Sequence, residues 1–166
     1  MAKQTRSARI KQQARRSLNS KFSFNEKTYV ADTSAVIKRF LPKLIKRGLR
    51  GKIIIPNAIM AELENLANKG FEEGFIGLEE IAKLHSLKKS HKITIYFYGL
   101  RPSEHQIKFA KSGEIDALIR DLAFKNKATL ITADLIQAKS AQAYNIPVVF
   151  LKTKEKKKRK FSFFGK

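Results

Sequence analysis

The chain has no cysteine, which excludes a disulfide framework and a thiolate metal site and suits a reducing compartment. Its three histidines, His85, His91 and His105, are scattered; with no HExxH and no Cys/His spacing, a zinc enzyme is disfavoured. Neither GxGxxG nor GxxxxGK[ST] occurs, so a dinucleotide or nucleoside-triphosphate enzyme is disfavoured too. No apolar run approaches the roughly 20 residues of a membrane helix, and no signal-peptide core follows the basic amino terminus. The expectation is a soluble, cytoplasmic protein with no membrane partner. Acids are scarce: 14 Asp and Glu stand against 35 Lys and Arg, a formal net charge of +21.

That excess is unevenly placed. Residues 1–27 hold eight bases and one acid, and residues 152–166 again eight and one, so each end carries +7 and the stretch between them the remaining +7. At 166 residues there is room for one domain of about 100–150 residues with a real core. The division expected is a basic flexible arm at 1–27, a folded domain at 28–151 and a basic tail at 152–166. Lys and Arg gain by displacing counterions from nucleic acid, so nucleic acid is the leading partner. Residues 1–22, Arg-rich and acid-free, also fit an organellar transit peptide by composition, but an arm that contacts nucleic acid is the preferred reading.

Within 28–151, short apolar runs alternate with helical spacing. TYVA (28–31), KIII (52–55), ITIYFY (93–98), ATLIT (128–132) and PVVFL (147–151) read as strands, and their continuous apolar character suits burial on both faces. Between them the spacing predicts helices at 34–47, with Pro42 as a kink or early end, and at 57–69 and 76–89, divided by Gly70 and Gly74. Others are expected at 103–111, 113–127 and 135–144. This order predicts an α/β protein: three layers, α/β/α, around a mostly parallel sheet of four or five strands.

Ligands of such sheets bind beyond the carboxyl ends of the strands, where strand order reverses. Asp32 directly follows the first strand, and Asp134 follows ATLIT through one Ala. On a helical wheel with Ile59 at zero, Leu63 and Leu66 fall near about 40° and 340° and Glu62 near about 300°, at the border of the apolar stripe. On the later helix Asp116 and Glu114 flank the stripe from opposite sides, and the wheel does not choose between them. Each acid has an ordinary alternative: Asp32 and Asp134 as helix N-caps, Glu62 as a surface acid, Asp116 as an i+4 partner of Arg120, Glu114 as a complement to a helix dipole. The convergence of all four on one end of a sheet is what favours a site.

The order ADTSAVI, IIIPNAIMAELENLA, GEIDALIRDLAFKNKATLITAD, then a closing helix and PVVFL, resembles a PIN domain, the metal-dependent nuclease fold, over roughly residues 28–151. Within the family, GFEEGFIGLEEIAKL and RPSEHQIKFAKSGEIDALIRD look most like the archaeal chains in which a PIN domain precedes a motor ATPase and a KH domain, here without the phosphate loop. The chain is then either a stand-alone PIN protein or a fragment. The resemblance implies an acidic tetrad of Asp32, Glu62, Asp116 and Asp134 that binds Mg²⁺ or Mn²⁺ and is catalytic, and it prefers Asp116 to Glu114. Thr132, and Thr33 or Ser34, match the family's small hydroxyl residues; Ser34, Thr132 and Glu114 are candidates for orienting the ligands from behind.

What the resemblance implies is a divalent-metal-dependent endoribonuclease. The alternatives are a nucleic-acid-binding adaptor that cuts little or not at all, and a DNA-processing nuclease. RNA is expected ahead of DNA, with a separate ATPase, an antitoxin or a second copy of the chain as protein partners. Lys38, Arg39, Arg101, Lys111 and Arg120 are candidate phosphate contacts by proximity in sequence. Tyr96, Phe97 and Tyr98 are candidates for base stacking, although aromatics in a short strand more often fill core.

Overall fold

A computed structural model of the protein describes residues 27–109 and 113–152. Lys111 and most of both basic ends lie outside the described residues. Five strands, β1 (Thr28–Ala31), β2 (Gly51–Pro56), β3 (Ile93–Tyr98), β4 (Thr129–Thr132) and β5 (Val148–Phe150), form one sheet of order β3-β2-β1-β4-β5. All four pairings are parallel, and Ala31 stands opposite Ile131 at the centre. Val30, Ile53, Ile55, Leu130 and Ile131 are fully buried, as runs covered on both faces should be.

The connections explain the layers. Helices α1 (Thr33–Ile37) and α2 (Leu41–Lys46) join β1 to β2, α3 (Asn57–Asn68) and α4 (Glu72–Lys88) join β2 to β3, α5 (Glu104–Phe109) and α6 (Glu114–Lys125) join β3 to β4, and α7 (Leu135–Ala143) joins β4 to β5. The chain builds outward from β1 in one direction, then crosses back to β4 and builds in the other. Right-handed crossovers therefore put α1 to α4 on one face and α5 to α7 on the other. The packing agrees: α4 lies on α3 and β3, α6 on β1 and β4, α7 on β4 and β5.

Two local readings needed correction. The helix expected at 34–47 is two helices: α1 stops at Ile37, Arg39 takes a left-handed φ of 58°, and Pro42 sits in the first turn of α2. Proline is tolerated there because the first turn's N–H groups have no partner within the helix. Gly74 does not divide α3 from α4 but lies inside α4. A Cβ at this position would come within 2.3 Å of the Ala67 backbone nitrogen and 2.6 Å of the Leu63 carbonyl oxygen. The glycine lets two helix backbones touch.

Candidate active site

β1 and β4 are the pair at which strand order reverses, the place where a parallel sheet opens a crevice at its carboxyl edge. Asp32 and Asp134 leave the sheet there side by side, the Asp32 N–H still donating to the Ile131 carbonyl at 2.9 Å.

Asp32 is 2% exposed and occupies the N-cap position of α1, yet its carboxylate makes no capping bond. Instead Oδ2 accepts from Ser34 Oγ at 2.5 Å and from Thr132 Oγ1 at 2.7 Å. Each hydroxyl also accepts a backbone N–H: Ser34 that of Ala133 at 2.8 Å, Thr132 that of Asp134 at 2.9 Å. A hydroxyl has one proton; with a lone pair committed to the backbone, that proton is directed at Asp32. Oδ1 takes no hydrogen bond, and since no enclosed side-chain polar atom among the described residues lacks a partner, Oδ1 opens to water.

Asp134 does cap α7, and both bonds fall on Oδ1, from Ile136 N at 2.7 Å and Gln137 N at 3.0 Å. Its other oxygen is left for another task, so capping and ligation are compatible in one side chain. Glu62, on α3, receives the Thr33 hydroxyl on Oε2 at 2.6 Å. The adjacent hydroxyls Thr33 and Ser34 thus hold two different acids.

Electrostatics ties the four together. The Glu62 carboxyl is pushed above its ordinary pKa by burial and by the charges of Asp32 and Asp116, with the Thr33 bond acting the other way. Asp116, in the first turn of α6, is likewise raised by burial and by Asp32 and Asp134, and Arg120 pulls it down. Crowded carboxylates repel one another until a cation is bound. Among the described residues no three acids or histidines close into a ready-made cage. The donor set nonetheless fits Mg²⁺ or Mn²⁺: it is all carboxylate oxygen, and Mg²⁺ keeps several waters and binds through one or two carboxylates plus substrate phosphate. Glu114 is exposed, and its carboxylate has no hydrogen bond to the other acids or to the hydroxyls of the site among the described residues.

The candidate phosphate contacts are spread out. Lys38 is an exposed C-cap of α1. Arg39 stands 3.8 Å from the buried Glu80, and Arg101 pairs with Glu64; the latter is an exposed pair, worth about 0–1 kcal/mol, that gives way to a phosphate. Among the four described candidates, Arg120 alone is joined to the acid cluster. Its guanidinium donates to Gln137 Oε1 at 2.6 Å, while Gln137 Nε2 donates to the Asp116 carbonyl at 3.0 Å. Gln137, completely buried, is the residue that sequence reasoning missed. A neutral amide in a helix carries no charge cue, and only its place three residues after Asp134 hinted at a role.

A parallel α/β sheet with acids gathered at its switch point defines the class: a doubly wound α/β domain with an acidic site at the carboxyl edge of its sheet. The PIN domain family model matches residues 29–143, and the chain belongs to that family, whose members are generally metal-dependent nucleases. It is 43% identical over 131 residues to an uncharacterised KH and PIN-domain containing protein of Methanocaldococcus jannaschii, covering 78% of this chain and 20% of that protein. It is 27% identical over 120 residues to the Holliday junction branch migration ATPase PINA of Sulfolobus acidocaldarius, covering 72% of this chain and 22% of that protein. The chain thus spans about a fifth of the length of these curated relatives. A solved domain of a functionally unknown protein from Methanocaldococcus jannaschii superposes with a TM-score of 0.74 at 43% identity, covering 78% of this chain and 94% of that one. No helix among the described residues is long and apolar enough to cross a membrane.

Proposed function

We propose that this PIN domain is a divalent-metal-dependent endoribonuclease whose metal-binding acids are Asp32, Asp134, Asp116 and Glu62. The observation that carries the reading is the coupling of these carboxylates at the seam of β1 and β4: burial and mutual repulsion push Glu62 and Asp116 toward protonation in the absence of a cation. Bound there, Mg²⁺ or Mn²⁺ would supply Lewis-acid activation of water and of the scissile phosphate. The chain's own residues do the rest. Asp32 offers Oδ1 while two hydroxyls hold Oδ2, and Asp134 offers the oxygen its cap leaves over. Thr33 fixes Glu62, and Arg120, steadied by Gln137, brings a positive charge to the rim of an otherwise repellent pocket.

The basic segments 1–27 and 152–166 flank this domain in our reading and hold the phosphate backbone; Lys38, Arg39 and Arg101 do so closer to the acids. RNA is favoured by the KH domain in the name of the Methanocaldococcus relative, since KH modules read single-stranded RNA. The name of the Sulfolobus relative favours a second reading, a DNA-processing nuclease allied to a motor ATPase. A cysteine-free chain suits the cytoplasm.

The deciding experiment incubates the protein with labelled single-stranded RNA, single-stranded DNA and a branched duplex in Mg²⁺, Mn²⁺ or EDTA, beside Asp32→Asn. RNA cleavage that requires metal and Asp32 is expected. Metal-dependent cutting of only the branched duplex selects the DNA reading. If nothing is cut, or if Asp32→Asn cuts equally well, the nuclease reading is lost and a binding adaptor takes its place.

A further inference from the structure

The acid pocket sits at the carboxyl ends of the strands, and the amino ends form a different surface. Four adjacent strands, β3, β2, β1 and β4, are each preceded by a base: Lys92, Arg50, Lys27 and Lys127, all exposed. The backbone brings them to one edge: Lys52 N donates to the Lys27 carbonyl at 2.9 Å and Gly51 N to the Lys92 carbonyl at 3.0 Å, and the pairing of Tyr29 with Thr129 sets the start of β4, just after Lys127, alongside the start of β1. Arg50 spends its guanidinium on the carbonyls of Ile45 and Leu49. Among the described residues no acid forms an ion pair with any of the four.

From this row, one face of β2 and β3 runs open toward the carboxyl ends of the strands, with Tyr96 and Tyr98 in its far half. Helices α3 and α4 pack against β2 and β3 from the opposite face, whereas α6 and α7 sit over β1, β4 and β5. Tyr96 and Tyr98 are consequently 46% and 59% exposed, contrary to the expectation that such aromatics fill core. Ile54 pairs with Tyr96 and Pro56 with Tyr98. Lys52, Ile54, Tyr96 and Tyr98, with Thr28 and Asn126, line a shallow hollow of about 330 Å³.

We propose that this face and the basic row at its amino end form a second nucleic-acid surface, distinct from the acid pocket, that takes a single strand: bases on Tyr96 and Tyr98, phosphates on Lys27 and Lys92. Three arguments select this occupant. A row of four bases that have no acid partner among the described residues matches a polyanion, whereas the centre of a protein interface is depleted of charge. Aromatic side chains stack any base, since every base has a π-face. Tyr96 and Tyr98, two residues apart on one face, stand roughly 6.6 Å apart along the strand, about twice the 3.4 Å rise of stacked bases. They therefore suit an extended single strand with one base on each ring, and a duplex offers them no base faces.

The test uses the full chain in EDTA and fluorescence anisotropy with a short labelled single strand and a duplex of equal length. Replacing both tyrosines (Tyr96→Ala with Tyr98→Ala) should weaken single-strand binding about tenfold or more and leave duplex binding unchanged. Replacing both by Phe should retain the affinity, and Tyr98→Ala alone, at the more exposed position, supplies a milder variant of secure fold. The pair Lys27→Gln with Lys92→Gln should lower the slope of log affinity against log salt by about 2. Equal single-strand binding by the Ala pair, equal loss on both ligands, or the same loss with Phe would overturn the proposal. So would a wild-type dimer that the Ala pair dissolves, which would assign the face to a second copy of the chain. Because binding is read in EDTA, independently of cleavage, a protein that binds in this way yet cuts nothing in the separate Mg²⁺ and Mn²⁺ assay refutes the nuclease reading and leaves this one standing.

Discussion

Ser34 and Thr132 lie 98 residues apart in sequence yet their hydroxyls stand 3.2 Å from one another and share one oxygen of Asp32. If Asp32 is a ligand, these hydroxyls orient it, and Thr132→Val should weaken Mn²⁺ binding about 10- to 100-fold, as read by calorimetry, with the fold retained. The raised carboxyls make a second prediction. Glu62 and Asp116 hold protons more tightly folded than unfolded, where Glu and Asp titrate near about 4.3 and 3.9. Their contribution to stability is therefore complete below those values and is lost as pH rises through the raised folded pKa. In chelator at neutral pH both charges oppose folding. Glu62→Gln and Asp116→Asn should then raise the melting temperature there by a few degrees, on the order of 1 kcal/mol in a domain of this size, and Mg²⁺ should stabilise the wild type more than either variant. A melting temperature that falls equally with and without metal would count against the repulsion. Asp32 and Glu62 were legible in the sequence as acids at a strand end and at a stripe edge. Gln137 was not, because its importance comes from what α6 brings to it.

At the scale of elements, strands were easier to read than the ends of helices. An apolar run such as ATLIT has one reading in a parallel sheet, and β4 starts only one residue later than that run. The glycine of a helix–helix contact has the same spelling as the glycine of a loop. Gly74 was read as punctuation because nothing local says that α3 passes against it. Gly74→Ala should cost about 1–3 kcal/mol, the usual range for overpacking, and a denaturant titration measures it. The same substitution at Gly70, which has open space around its Cβ position but a φ of 79°, should cost less. Pro42 shows the reverse error: the residue was noticed and its position misjudged, since a proline kinks the interior of a helix but is welcome in the first turn.

For the whole molecule, the fold class followed from the alternation of strand and helix, but which strand lies beside which did not. Nothing in TYVA or ATLIT names the other as its neighbour; the pairing follows from the outward winding of two halves from a common seam. The division into body and basic arms predicts that removing residues 1–22 weakens nucleic-acid binding mainly at low salt and leaves the metal dependence of cleavage unchanged, which paired binding and cleavage titrations would check. The seam also has a consequence for timing. During synthesis the first three strands emerge with Asp32 and Glu62, while Asp116, Thr132 and Asp134 are still to be added. A growing chain can pair β1 with β2 and β2 with β3 early, because these are neighbours in order, but the Asp32 oxygen that Ser34 and Thr132 share lacks its second holder until β4 docks. An acid cluster assembled in this way stays incomplete beside the ribosome until most of its own domain has been made.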